Sequence, residues 1–133
     1  MKVILDANVI IAAFASRGLC CAVFELCLDR FDIVLSEAIL KEVYINLIDT
    51  IKLPSPQCDL IVLYLREHCF LSEIDDVDES PCRDKNDLHV LGLAQHSSAD
   101  YIITGDKDLL DLFQYKNTKI ITPRQFWEIN LKK

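Results

Sequence analysis

Four carboxylates stand where a small α/β fold could gather them: Asp6, Glu42, Asp87 and Asp106. Asp6 ends the run Lys2, Val3, Ile4, Leu5, and the apolar stretch 7–11 follows with no room for a long loop. Such a run reads as a buried parallel strand, and sites in open α/β sheets form at the carboxyl ends of strands. Glu42 borders the apolar face made by Ile39, Val43 and Leu47. Asp87 lies in the first turn of a helical segment and shares a face with Val90, Leu91 and Ala94. Asp106 follows a strand ending in Thr104, in the run Thr-Gly-Asp-Lys-Asp. Clustered carboxylates repel, and their charged forms need a partner. A hard cation such as Mg²⁺ or Mn²⁺ supplies one, because it prefers oxygen ligands. Each acid also has a plainer use. Asp6 and Asp106 can cap helices, with Gly105 providing a turn before Asp106. Asp87 can complement a helix N-terminus, and Glu42 can be a solvated flank. Singly the plainer uses are favoured; the joint placement, at two strand ends and beside two apolar helix faces, points to a metal.

The elements that must position these acids alternate. The pattern predicts strands at 2–5, 31–35, 69–71, 101–104 and 119–121. Helices are expected over 8–16, 19–29, 37–49, 57–68, 85–96 and 107–113, and from Pro123 onward. Gly18 breaks the first two helices, Ser36 caps the third, and Pro123 suits a first helical turn. Leu60, Ile61, Leu63, Tyr64 and Leu65 are expected to supply the apolar side of the fourth helix. Phe126 and Trp127 are expected to anchor the last one. Residues 72–86, rich in acids and containing Pro81, form the one long loop candidate. Strands alternating with helices imply a parallel sheet with right-handed crossovers. About five short strands give a three-layer α/β/α sandwich, read as a single domain over 1–133.

Composition narrows the function. Half the residues are hydrophobic and three are Gly, which argues against disorder. No stretch reaches the ~18 apolar residues of a membrane span. Asp6 and Asn8 interrupt what could be a signal peptide, so a cytoplasmic protein is expected. The net charge of −7 argues against sequence-independent gripping of nucleic acid, but not against a small acidic site with bound metal. Six cysteines include no C-x-x-C pair, which leaves a zinc site little support. Cys20, Cys21 and Cys27 read as buried free thiols.

The motifs meet a family. The segments 3–9, 36–42, 83–87 running into 91–94, 99–110 and 121–126 resemble PIN-domain ribonucleases, and among them the VapC-like toxins of toxin–antitoxin modules. The resemblance spans nearly the whole chain. It implies a parallel sheet of order 3-2-1-4-5. It assigns metal-binding and catalytic roles to Asp6, Glu42, Asp87 and Asp106, with Asp108 as a further metal ligand. Asn8 and Thr104 match the polar residues of the first and last motifs. Asp87 is preferred to Asp84 because it stands correctly before Leu91 and Ala94. His89 and Gly92 depart from the family pattern, where larger or apolar residues are common.

The implied activity is endonucleolytic hydrolysis of RNA with Mg²⁺ or Mn²⁺ lowering the pKa of a water for in-line attack. The implied partners are an RNA substrate, a protein antitoxin and a second copy of the chain. Arg17, Lys41, Arg83, Lys85 and Lys107 could form a positive rim, although ordinary surface charge is the plainer reading of each. A calcium loop over 76–87 is rejected, because Pro81 stands where Gly is needed. His89 and His96 read as surface or satisfied histidines. Competing functions are a catalytically silent PIN-fold binding module and a non-toxin RNA-processing nuclease. A phosphatase with Asp-x-Asp after strand one is weakened by Asn8, and a phosphoacceptor receiver by Leu71 and Ser72 after strand three.

Overall fold

In the computed structural model, residues 1–77 and 87–131 are described. The chain begins with β1 (Lys2–Leu5), α1 (Ala7–Ala15), α2 (Leu19–Arg30), β2 (Asp32–Leu35), α3 (Glu37–Asp49), α4 (Ser55–His68) and β3 (Phe70–Leu71). It continues with α5 (Leu88–Ser97), β4 (Tyr101–Ile103), α6 (Lys107–Leu110), β5 (Gln114–Tyr115), β6 (Thr118–Ile121) and α7 (Pro123–Leu131). The sheet order is β3-β2-β1-β4-β6-β5. Its five parallel strands keep the expected 3-2-1-4-5 order, β6 being the expected fifth strand. The two-residue β5, which was not expected, adds an antiparallel edge to β6.

Helices cover both faces of the sheet in a three-layer sandwich. Val3, Ile4 and Leu5 are fully buried, as continuous apolar strands are when both faces are covered. Burying each such side chain contributes about 1.5–3 kcal/mol. The sheet order grows to one side of β1 through β2 and to the other through β4. The β1/β4 junction is therefore the topological switch point, where ligands of open α/β sheets bind.

Local chemistry sets the helix ends. Ser36 Oγ accepts from Ile39 N at 3.1 Å and starts α3. At α7, Thr122 Oγ1 accepts from Gln125 N at 3.0 Å while Gln125 Oε1 accepts from Thr122 N at 2.9 Å, a reciprocal cap before Pro123. This seats Phe126 edge-on against Phe31 and Tyr101, with centroids 5.2 and 5.8 Å apart. Trp127 packs on the core only partly buried.

Some expectations fail. On α4 only Cys58 and Leu65 are buried; Leu60, Leu63 and Tyr64 are exposed. The helix packs on α3, and one narrow stripe at helical spacing satisfies that contact. Cys20 and Cys21 are only partly buried, whereas Cys27 is enclosed and its thiol is pushed up to about 12 by burial, with Cys69 adding to it. Gly18 does separate the first two helices, standing at the N-cap of α2; the left-handed positions of the backbone are taken by Lys52, Ser98, Phe113 and Lys116. The helix expected from 85 begins at Leu88, with residues 85 and 86 outside the described part. No described helix is long and apolar enough to cross a membrane; α1 and α2 pass only as a pair, bent by 107°.

Candidate active site

The site is built at the carboxyl ends of β1 and β4. Asp6 leaves β1 in extended backbone and caps α1, its Oδ1 accepting from Ala7 N at 2.8 Å. Its Oδ2 accepts from the Thr104 hydroxyl at 2.7 Å. Thr104 Oγ1 accepts in turn from Asp106 N at 2.9 Å. Asp106 Oδ1 accepts from Asp108 N at 2.9 Å and so starts α6. One buried hydroxyl thus ties the end of β1 to the loop after β4. Asp6 and Asp106 thus do cap helices, and each carboxylate keeps lone pairs beyond those bonds.

Asp87 is the N-cap residue of α5, is buried, and makes no side-chain capping bond. Oxygens of Asp87, Asp106 and Asp108 all lie within 4.8 Å of one another, which is close enough to hold a metal ion. Asp6 and Glu42 stand outside that triplet. Glu42, half-exposed on α3, is nonetheless electrostatically coupled to Asp6 and Asp106. Its carboxyl is raised above its ordinary value, first by burial and then by the charge of Asp6; the His89 ring pulls it down, and Asp106 adds a smaller upward push. The expected four acids and Asp108 thus occupy one end of the sheet. Asn8 is exposed in the first turn of α1. Lys107 and Lys41 are exposed beside Asp106 and Glu42, and Arg17 lines a groove between α1, α2 and α4 instead. Arg83, Asp84 and Lys85 lie outside the described residues.

His89 is the residue that sequence reasoning misplaced. It is neither a surface nor a satisfied histidine: Nδ1 is buried without a partner among the described residues, and Nε2 lies 3.7 Å from Glu42 Oε1. Only its position two residues after Asp87 hinted at the site. His96 does follow expectation, pairing through Nδ1 with Asp75 at 2.8 Å.

The raised Glu42 carboxyl gives a pH-dependent expectation. An acid raised in the folded state binds its proton more tightly there than when unfolded. Stability therefore falls as pH climbs from the ordinary value of 4.5 through the raised one. Above that window the anion is a standing cost. Glu42→Gln is expected to raise the metal-free melting temperature at neutral pH by about 2 °C, allowing for solvent screening of a half-exposed group. The gain should vanish below the ordinary carboxylate range. Thermal unfolding in EDTA at both pH values checks this, and a gain that persists in acid would mean that repulsion is not its source.

Comparison with known proteins now places the chain. No curated protein sequence matches it. A chain in the crystal structure of VapBC2 from Rickettsia felis, bound to a DNA fragment from their promoter, is similar in fold with a TM-score of 0.62 at 16% identity. The similarity covers 92% of this chain and 98% of that one. A family model, the PIN domain, matches residues 2–108. With that span covering most of its 133 residues, the chain belongs to the PIN domain family.

Proposed function

We propose that the protein is a metal-dependent endoribonuclease and the toxin component of a toxin–antitoxin module, acting in the cytoplasm. The observation that carries the nuclease reading is the acidic centre at the switch point, where Asp87, Asp106 and Asp108 come within metal-sharing distance beside Asp6 and Glu42. Family membership supports it, since PIN domains are nucleases. The donor set is oxygen-rich and negatively charged, which suits Mg²⁺ or Mn²⁺. When bound, such an ion supplies an acidified water and charge stabilisation for phosphodiester hydrolysis. Asp87, Asp106 and Asp108 would hold it, with Asp6 and Glu42 completing the centre. Thr104 fixes Asp6, and through the backbone of Asp106 it keeps the two strand ends in register. Lys107 and Lys41 are placed to meet phosphates at the rim.

The reading predicts RNA cleavage in Mg²⁺ or Mn²⁺ that EDTA abolishes. Intact RNA under all these conditions would leave a silent PIN-fold binding module as the better reading. Toxin function is supported by the fold's likeness to a chain of a VapBC complex. It requires a restraining partner. A partner side chain such as Arg, reaching the acidic centre, would pair with a carboxylate and exclude metal. Co-expression with the neighbouring gene product, followed by cleavage assays with and without it, tests this, and size-exclusion of the free protein tests the implied homodimer. Equal cleavage by the complex and the free chain would favour a housekeeping RNA-processing nuclease.

A further inference from the structure

We propose that Phe113 is a stacking platform for an unpaired base of the RNA substrate. Such a platform presupposes the ribonuclease reading above and says where the bound strand lies. Phe113 is 77% exposed, more than any other large apolar side chain among the described residues. Its φ of 61° is in the left-handed region, which costs a bulky side chain where glycine would be relaxed. The backbone is fixed there: Phe113 N donates to Leu110 O at 3.1 Å, and Phe113 O accepts from Ile120 N at 2.9 Å. The chain thus holds an aromatic ring in water on a strained backbone, with little burial to offset either cost. Strain kept in this way marks positions with a function.

The surroundings select the occupant. A protein contact would set further apolar side chains around the ring; here Gln114, Lys116, Asn117 and Lys119 are exposed on the same hairpin. Lys116 Nζ lies 5.8 Å from the centre of the Tyr115 ring. Across 109–124, Lys116, Lys119 and Arg124 meet one acid, Asp111, in a chain whose net charge is −7. A π face among cations suits a nucleotide, whose base stacks while its phosphates pair. The platform is also within reach of the acidic centre. Asp106 O accepts from Leu110 N at 2.9 Å and Leu110 O from Phe113 N, so hydrogen-bonded turns join Asp106 to Phe113. At about 1.5–2.0 Å of rise per residue, that stretch spans roughly 10–14 Å. A strand advancing roughly 3.4 Å or more per nucleotide covers it in about two to four nucleotides. Arg124 follows β6, whose Ile121 O accepts from Thr104 N at 3.0 Å at the same end of the sheet.

The test reads binding in EDTA, so that no turnover intervenes, with a short single-stranded RNA carrying 2-aminopurine. The fluorescence of that base is expected to change on binding. Phe113→Ala and Phe113→Leu are expected to lose the change and to bind the strand about 5-fold to 100-fold more weakly. Phe113→Trp, which keeps a π face, should bind within about 2-fold of the unaltered protein. Phe113→Gly is expected to melt about 4 °C higher and yet to bind as weakly as Phe113→Ala, which separates the ring's role from folding. A fully paired RNA of the same length, whose bases are already stacked, should not distinguish the variants. Equal single-strand affinity across the variants overturns the platform. So does self-association that Phe113→Ala abolishes while RNA affinity stays unchanged. In either case metal-dependent cleavage by the unaltered protein leaves the ribonuclease reading standing. Absence of both RNA binding and metal-dependent cleavage overturns the two together.

Discussion

Asp106→Asn is expected to slow metal-dependent RNA cleavage by at least ~100-fold while leaving the melting temperature nearly unchanged. Loss of a group that merely orients a metal ligand already costs about 10–100-fold, and Asp106 is proposed as a ligand itself. The fold survives because the structural work of Asp106 suits an amide. Its Oδ1 caps α6 by accepting from Asp108 N, and Asn caps helices as well as Asp does. Its own N–H still donates to Thr104 Oγ1. Asp6→Asn would be a poorer probe. An amide nitrogen at the buried Oδ2 position would face the Thr104 hydroxyl, whose oxygen already accepts from Asp106 N. The hydroxyl proton would then lose its acceptor, at a cost of about 1 kcal/mol. Single-turnover cleavage with matched unfolding curves decides the matter. Wild-type cleavage by a folded Asp106→Asn protein would remove Asp106 from the centre.

The largest stability effect is expected at Gly92. The segment 72–77 crosses α5 there, with Asp75 N donating to Gly92 O at 3.1 Å. Asp75 is further held by Gln95 Nε2 at 3.2 Å and by His96 Nδ1 at 2.8 Å. A methyl group on Gly92 would overlap the carbonyl oxygen of Asp75 and lie 2.6 Å from Ile74 Cγ2. Backbone cannot rotate away as a flexible side chain can. Overpacking costs typically 1–3 kcal/mol, and displacing the strap also sacrifices a hydrogen bond. Against this, Ala is favoured over Gly in a helix by about 1 kcal/mol. The net expectation for Gly92→Ala is a loss of about 1–3 kcal/mol, or roughly 4–12 °C in melting temperature. Faster amide exchange at Asp75 should accompany it. An unchanged melting temperature would mean that the strap does not sit on α5.

Gly92 also shows where the sequence was legible and where it was not. As a departure from the family pattern it was visible, but its reason lay in a segment some twenty residues away that no local rule brings across α5. The limits of α3 were readable to the residue because Ser36 announces a cap and the apolar spacing is regular. Asp6 and Asp106 were readable because apolar strands run straight into them. The face of α4 was not, because 60–65 is apolar almost throughout and only the packing against α3 selects the inward stripe. β5 escaped notice because two residues carry no alternation, and its flanking turns use Phe113 and Lys116 where glycine would have marked them. His89 was missed because α3 and α5 meet only in the folded chain.

The central position of β1 has a consequence for biosynthesis. β1 leaves the ribosome well before β4, yet it pairs on one side with β2 and on the other with β4, Leu5 standing opposite Ile103. The Asp6–Thr104 bond closes a separation of 98 residues. Such long-range pairing slows folding, because chain entropy must be lost before the contact forms. At about 5–20 residues per second, β4 follows β1 by roughly 5–20 s. During that interval the nascent chain holds Asp6 and Glu42 but lacks Asp106, Asp108 and the hydroxyl that locks Asp6. A chain that stops short of β4 therefore carries Asp6 without the Thr104 hydroxyl that holds it and without Asp106 and Asp108.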